Sequence, residues 1–142
     1  VSLRKLLGTL IVLGSFFIGS VTACGADKEE ILRQINEVRE ERGLSPYELS
    51  EDFCRYADIR AGEQEKCFSH TRPDGRRWYT VSPSVYRENI AHIENSEQEK
   101  YLITAWMESD SHRANVLSKE SRKIGIGIYE TDGEQYVVTL TD

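Results

Sequence analysis

The chain has 142 residues, with 18 Lys and Arg against 24 Asp and Glu, a formal net charge of −6, and 39% of its residues are hydrophobic. That length supports one domain of ordinary size and leaves little room for a second. The acidic balance argues against nucleic acid as a partner, three Cys are too few for a disulfide-built miniprotein, and Gly and Pro are too scarce for a low-complexity chain.

The charge is unevenly placed. Residues 1–23 hold Arg4 and Lys5 and no acid, so the remainder carries 16 basic and 24 acidic residues, a net of −8. A basic start followed by the uncharged, apolar run from Leu6 to Val21 is the pattern of a secretory signal. Val21-Thr22-Ala23-Cys24-Gly25 resembles a bacterial lipobox. Cleavage before Cys24 and lipidation of its thiol is the favoured processing, leaving residues 24–142 as a single exported domain tethered to a membrane. Cleavage after Ala26 would instead release a soluble secreted protein. The run Leu6–Ala26 is long enough to cross a bilayer of about 30 Å. Gly8, Gly14, Ser15, Gly19 and Ser20 dilute it, so an uncleaved anchor ranks lower, and a buried core helix lower still.

Asp27-Lys28-Glu29-Glu30 predicts a helix start, with Asp27 as N-cap. Ile31, Leu32, Ile35 and Val38 follow at helical spacing, and Arg39, Arg42 and Gly43 suit the helix end. Ser50 caps a second helix over 51–65, with Phe53, Tyr56, Ala57, Arg60 and Ala61 on one face and Arg60 as a snorkelling rim residue. Cys54 and Cys67 then sit near opposite ends of that helix, about 20 Å apart, well beyond the roughly 4.4–6.8 Å between bridged Cα atoms. No disulfide between them is expected. Residues 67–95 read as loop-rich, broken by Pro73, Gly75 and Pro83, with a short strand at Trp78–Val81. A capping box at Ser96–Glu99 opens a helix bearing Leu102, Ala105, Trp106 and Ser109, with Trp106 in the core, and Ser111 restarts a helical turn through Leu117. Lys123–Tyr129 and Gln135–Leu140 are strand candidates around a turn at Thr131-Asp132-Gly133. Segregated helices and strands indicate an α+β fold.

Three His remain as candidates for chemistry. His70 lies in Phe68-Ser69-His70-Thr71-Arg72-Pro73-Asp74-Gly75, at a helix exit. His112 lies in Trp106-Met107-Glu108-Ser109-Asp110-Ser111-His112-Arg113-Ala114-Asn115, after a helix break. Between them Arg87-Glu88-Asn89-Ile90-Ala91 places a carboxylate and an amide beside an apolar pair. His92 stands outside these patches and reads as non-functional. Asn89 and Asn115 read as satisfying buried backbone groups, and Gly125 and Gly127 as permitting close packing.

These patches, in this order and with Ile124-Gly125-Ile126-Gly127 at the end, resemble the CAP superfamily (cysteine-rich secretory proteins, antigen 5 and pathogenesis-related 1 proteins) in its bacterial SCP-like form. The Phe68–Gly75 and Trp106–Asn115 motifs match; Arg87 stands where the Glu-Asn motif of the family carries Gly. The resemblance implies a three-layer α-β-α sandwich with a central antiparallel sheet, and a cleft around two His and two acids. His70 and His112 fall on the His positions and Glu88 on one acid. Ser109 occupies the second acidic position, so Asp74, Glu108 or Asp110 would have to stand in. The expected cleft set is His70, Asp74, Glu88, Asn89, Ser109 and His112.

Two imidazoles and a carboxylate are a reasonable set for Zn²⁺, with His70 and His112 as the metal ligands and one position open for water. There is no His-Glu-x-x-His and no Gly-x-Ser-x-Gly. Three functions follow as expectations. The first is a binding module for a metal, small ligand, lipid or peptide. The second is a metal-assisted peptide hydrolase using His70, Glu88 and His112. The third is a structural envelope lipoprotein with a vestigial cleft.

Overall fold

A computed structural model describes residues 26–142. The expected signal segment and the expected lipidation site at Cys24 lie outside the described residues. The elements in chain order are α1 (Ala26–Glu40), β1 (Glu48–Leu49), α2 (Glu51–Lys66), a 3₁₀ helix (Trp78–Val81), β2 (Arg87–Ile93), α3 (Ser96–Glu99), α4 (Leu102–Glu108), α5 (Asp110–Val116), β3 (Lys123–Thr131) and β4 (Glu134–Thr141).

The sheet runs β1-β3-β4-β2. β3 and β4 form a hairpin whose two-residue turn needs left-handed backbone at both positions, and Asp132 (φ 48) and Gly133 (φ 81) supply it. β2 pairs antiparallel to β4, with Glu88 opposite Leu140 and Asn89 opposite Thr139. The central strands β2, β4 and β3 are antiparallel, as expected. The two-residue β1 pairs with β3 in parallel, because the loop after α1 brings the chain alongside β3 in the same direction.

Strand alternation divides the core into two layers. Ile124, Ile126 and Val137 face α1, α4 and α5, where Ile31, Ile35, Leu102, Ile103, Trp106 and Val116 are buried. Ile90, Val138 and Leu140 face α2, where Phe53, Ala57 and Ala61 meet them. The result is the α-β-α sandwich. Gly125 and Gly127 set how closely α2 lies. A Cβ on Gly125 would come within 2.1 Å of the Phe53 carbonyl carbon, and one on Gly127 within 2.1 Å of that of Ala57. Close packing is therefore achieved against a helix backbone.

Several local expectations change. Ser50 caps α2 as predicted, accepting from Phe53 N–H at 3.3 Å. Asp27 lies within the first turn of α1 rather than ahead of it. The cap before α3 is Asn95, whose Oδ1 accepts from Gln98 N–H at 3.1 Å, one residue earlier than the Ser96 box. Trp78–Val81 coils as a 3₁₀ helix instead of a strand, since Thr80 bonds locally to Arg77 through both its N–H and its hydroxyl. Cys54 is buried, Cys67 is exposed, and no disulfide joins them.

Candidate functional site

β2 is an edge strand, and its alternation sends neighbouring side chains to opposite layers. Glu88 points toward α2. Asn89 points toward α5, where its Nδ2 donates to the His112 carbonyl at 3.0 Å. Asn115 donates to Asn89 Oδ1 at 2.7 Å and to the Glu88 carbonyl at 3.2 Å. These two amides tie α5, and with it His112, to the strand that carries Glu88.

The Glu88 side chain is fully buried. Its partner is Arg60 on α2, also fully buried. Arg60 Nε donates to Glu88 Oε2 at 2.7 Å and Nη2 to Oε1 at 3.0 Å, a two-pronged carboxylate contact. Arg60 also donates to Glu63 at 2.5 Å and to the Ser69 carbonyl at 2.8 Å. Gln64 completes the anchor, accepting from Ser69 N–H at 2.9 Å and donating to the Ser69 carbonyl at 3.1 Å. Burial raises the Glu63 carboxyl, but the guanidiniums of Arg72 and Arg60 outweigh it and hold it below the ordinary range.

Ser69 is thus clamped, and His70 follows it directly. His70 Nδ1 lies 2.9 Å from Glu88 Oε1. A carboxylate already gripped by an arginine can only accept here, so Nδ1 carries the proton and Nε2 is the basic nitrogen. His112 approaches from the other layer. Burial pushes its imidazole pKa down, and the nearby His70 adds to this. His70, Glu88 and His112 line one cleft of about 340 Å³, with Trp78, Arg87 and Asn115. His112 also borders an apolar groove of about 500 Å³ between the edge of β2 and α4, lined by Ile90, Ile93, Leu102, Trp106 and Ser109.

The expected cleft set is therefore split. His70, Glu88 and His112 meet. Asn89 braces them from the α5 side. Ser109 lines the apolar groove, its hydroxyl 3.5 Å from that of Ser111, and makes no hydrogen bond to an imidazole among the described residues. Asp74 does not line the cleft: it sits in an exposed turn, accepting from Arg76 through both backbone and side chain. Asp110 pairs with Arg113. His92 stacks on Tyr136 at 4.5 Å and contacts Glu134 at 2.8 Å.

The reading of Arg60 as a rim residue is corrected. It is the buried counter-charge of the site, and its position was visible in the α2 stripe Ala57, Arg60, Ala61 and Gln64, which shares one helix face. Both Glu88 oxygens are committed to Arg60 and His70, so Glu88 orients an imidazole from behind rather than offering a metal ligand. No group of three or more His, Cys, Asp or Glu suited to a metal occurs among the described residues. What is available is a pair of imidazoles.

The family model for "CAP: Cysteine-rich secretory protein family" matches residues 32–141. The chain belongs to the CAP family. The Bacillus subtilis (strain 168) protein YkwD, itself described as uncharacterized, is 25% identical over 118 residues, 78% of this chain and 45% of its own length; the chain spans under half of that relative. An outer surface protein from Borrelia burgdorferi superposes with a TM-score of 0.66 at 20% identity, covering 81% of this chain and 90% of that one. An extracellular SCP-domain protein from Bacillus anthracis str. Ames gives 0.63 at 17% identity over 82% and 40% of the two chains. NaASP2, solved with Zn²⁺, gives 0.62 at 14% identity over 81% and 78%. At these identities the likeness shows a shared CAP fold. In this CAP domain Arg87, in place of the family glycine, donates to Ser121 Oγ at 3.0 Å, the Asp142 carbonyl at 3.1 Å and Glu120 at 3.0 Å. It fastens the start of β2 to the segment before β3.

Proposed function

We propose that this CAP domain is an exported binding module, and that its ligand has a polar group seated between His70 and His112 and an apolar body lying in the groove along β2 and α4. The observation that carries this reading is that His112 borders both spaces. A small amphipathic molecule, a lipid or a short peptide has that chemistry. The basic start and apolar run of residues 1–23, and the lipobox at Cys24, support export with a membrane-anchored form. No helix among the described residues is long and apolar enough to cross a membrane.

A divalent ion such as Zn²⁺ would be held by the two imidazoles alone, His70 through Nε2, with water or the ligand's own donors completing its shell. This falls short of the three protein ligands usual for catalytic zinc. A bound cation would polarise a ligand carbonyl or carboxylate. Glu88, backed by Arg60, fixes the His70 tautomer. That NaASP2 was solved with Zn²⁺ supports the cation reading, while the missing third ligand favours binding over hydrolysis.

Calorimetric titration with Zn²⁺ tests the pair. Wild type should bind at least tenfold more tightly than His70→Ala or His112→Ala. Equal affinity in all three would sink the imidazole site. Cleavage of a broad peptide library by the metal-loaded wild type, lost in both variants, would replace the binding reading with the hydrolase.

A further inference from the structure

A second polar cavity, of about 450 Å³, opens where the end of α1 meets the starts of β1 and β3. Its wall includes Arg39, Lys119, Arg122 and Lys123, together with Glu48 and Asp142. It shares no lining residue with the His70–His112 cleft.

Arg39 is 2% exposed. Charged side chains are almost never buried to this degree without a partner of opposite charge, yet it makes no ion pair among the described residues. Its Nε donates to the Ser45 carbonyl at 2.9 Å, and its Nη1 to the carbonyls of Val116 and Ser118 at 2.8 and 2.9 Å. The Tyr47 ring lies 3.7 Å from the guanidinium carbon, a cation–π contact. These contacts hold the charge in place without neutralising it. Nη2 has no hydrogen-bond partner among the described residues.

Lys119, Arg122 and Lys123 form no ion pairs there either, although most other basic side chains of the described residues do. Asp142 spends its Oδ1 on the backbone N–H groups of Arg122 and Lys123, at 2.7 and 2.9 Å. Four cationic side chains face two carboxylate side chains at this cavity, a local basic excess in a chain that is acidic overall. Like charges gathered at one cavity repel, and an anion relieves them.

We infer that this cavity is an anion site for a phosphate-bearing ligand, with Arg39 in its wall and Lys119, Arg122 and Lys123 around it. A phosphate monoester carries about −1.5 to −2 at pH 7 and presents three strong acceptor oxygens to these donors; a single carboxylate presents two. A cavity of about 450 Å³, against roughly 30 Å³ of liquid volume per water, has room for an organic group beside the phosphate. The phosphate could belong to a free monoester or to a phospholipid headgroup, and the two differ in charge.

The full chain should be titrated calorimetrically, at fixed ionic strength in chloride, with inorganic phosphate, glycerol 3-phosphate and glycerophosphoglycerol. Saturable binding is expected, with the monoester at least as tight as inorganic phosphate. The diester binding more tightly than the monoester would assign the site to a lipid headgroup. The exposed triple variant Lys119→Gln/Arg122→Gln/Lys123→Gln should lose at least tenfold in affinity with its Tm unchanged. A control triple, Arg33→Gln/Arg55→Gln/Lys100→Gln, removes the same charge elsewhere and should stay within twofold of wild type. No saturable binding of any probe, or equal losses in both triples, would overturn the site.

Discussion

Replacing Arg60 by Met removes a charge from the centre of the domain while keeping most of the aliphatic stem. Four acceptor contacts depend on Arg60, but they are not equally exposed to its loss. Glu63 keeps Arg72, at 2.6 Å, and the Ser69 carbonyl keeps Gln64, at 3.1 Å. Glu88 loses both of its Arg60 hydrogen bonds and retains only His70. The damage therefore concentrates on one fully buried carboxylate. Charge-assisted hydrogen bonds contribute about 1.5–3 kcal/mol each, and breaking a buried pair from one side costs about 3–5 kcal/mol. We expect Arg60→Met to lose about 3–5 kcal/mol in urea unfolding followed by far-UV circular dichroism at pH 7. That is a large share of the roughly 5–15 kcal/mol typical of a domain. The double variant Arg60→Met/Glu88→Leu removes both charges and should be more stable than the single one, because no uncompensated carboxylate remains. A loss below about 1 kcal/mol in the single variant, or a double variant no more stable than it, would refute the argument that Arg60 holds the site through Glu88.

His112 predicts a pH dependence. Its native pKa lies below the ordinary 6.5 because the imidazole is buried and near His70. Below pH 6.5 the unfolded chain takes up that proton more readily than the native protein, so stability is fully present above 6.5 and falls as pH drops toward the native pKa. Thermal melts from about pH 7.5 to about 5.5 should show this slope in wild type and a shallower one in His112→Gln; identical slopes would contradict it. Gly127→Ala places a methyl group within 2.1 Å of the Ala57 carbonyl carbon, where neither backbone can yield cheaply. A loss of at least about 1–3 kcal/mol is expected from overpacking, read from the urea midpoint, whereas an unchanged midpoint would mean that α2 is free to shift.

The α+β class, the terminal hairpin and the three candidate patches were legible because each depends on local pattern. Alternation places Ile124 and Ile126 on one face and Gly125 and Gly127 on the other, and Asp132-Gly133 can hardly do anything but turn. His70, Glu88 and His112 stood out through their surroundings. Ser109 enters the expected cleft set through the position it holds in the resemblance, and Asp74 as a stand-in for the acid missing there; neither pattern says where the side chain settles. A polar turn satisfies Asp74 locally, and the break between α4 and α5 turns Ser109 toward the groove.

The sequence by itself determined that basic and apolar residues gather in 1–23, that an acidic α+β pattern fills the rest, and which His and Glu could form a site. Only the tertiary structure decided what those residues are free to do. Arg39 and Arg60 look alike in the sequence, as basic residues of helices. Folding buries both, one with carbonyls and a tyrosine ring but no acid, the other against Glu88. A charge's role is fixed by what compensates it in space, and neither helical spacing nor composition carries that information across 28 residues to Glu88 or 77 to Val116.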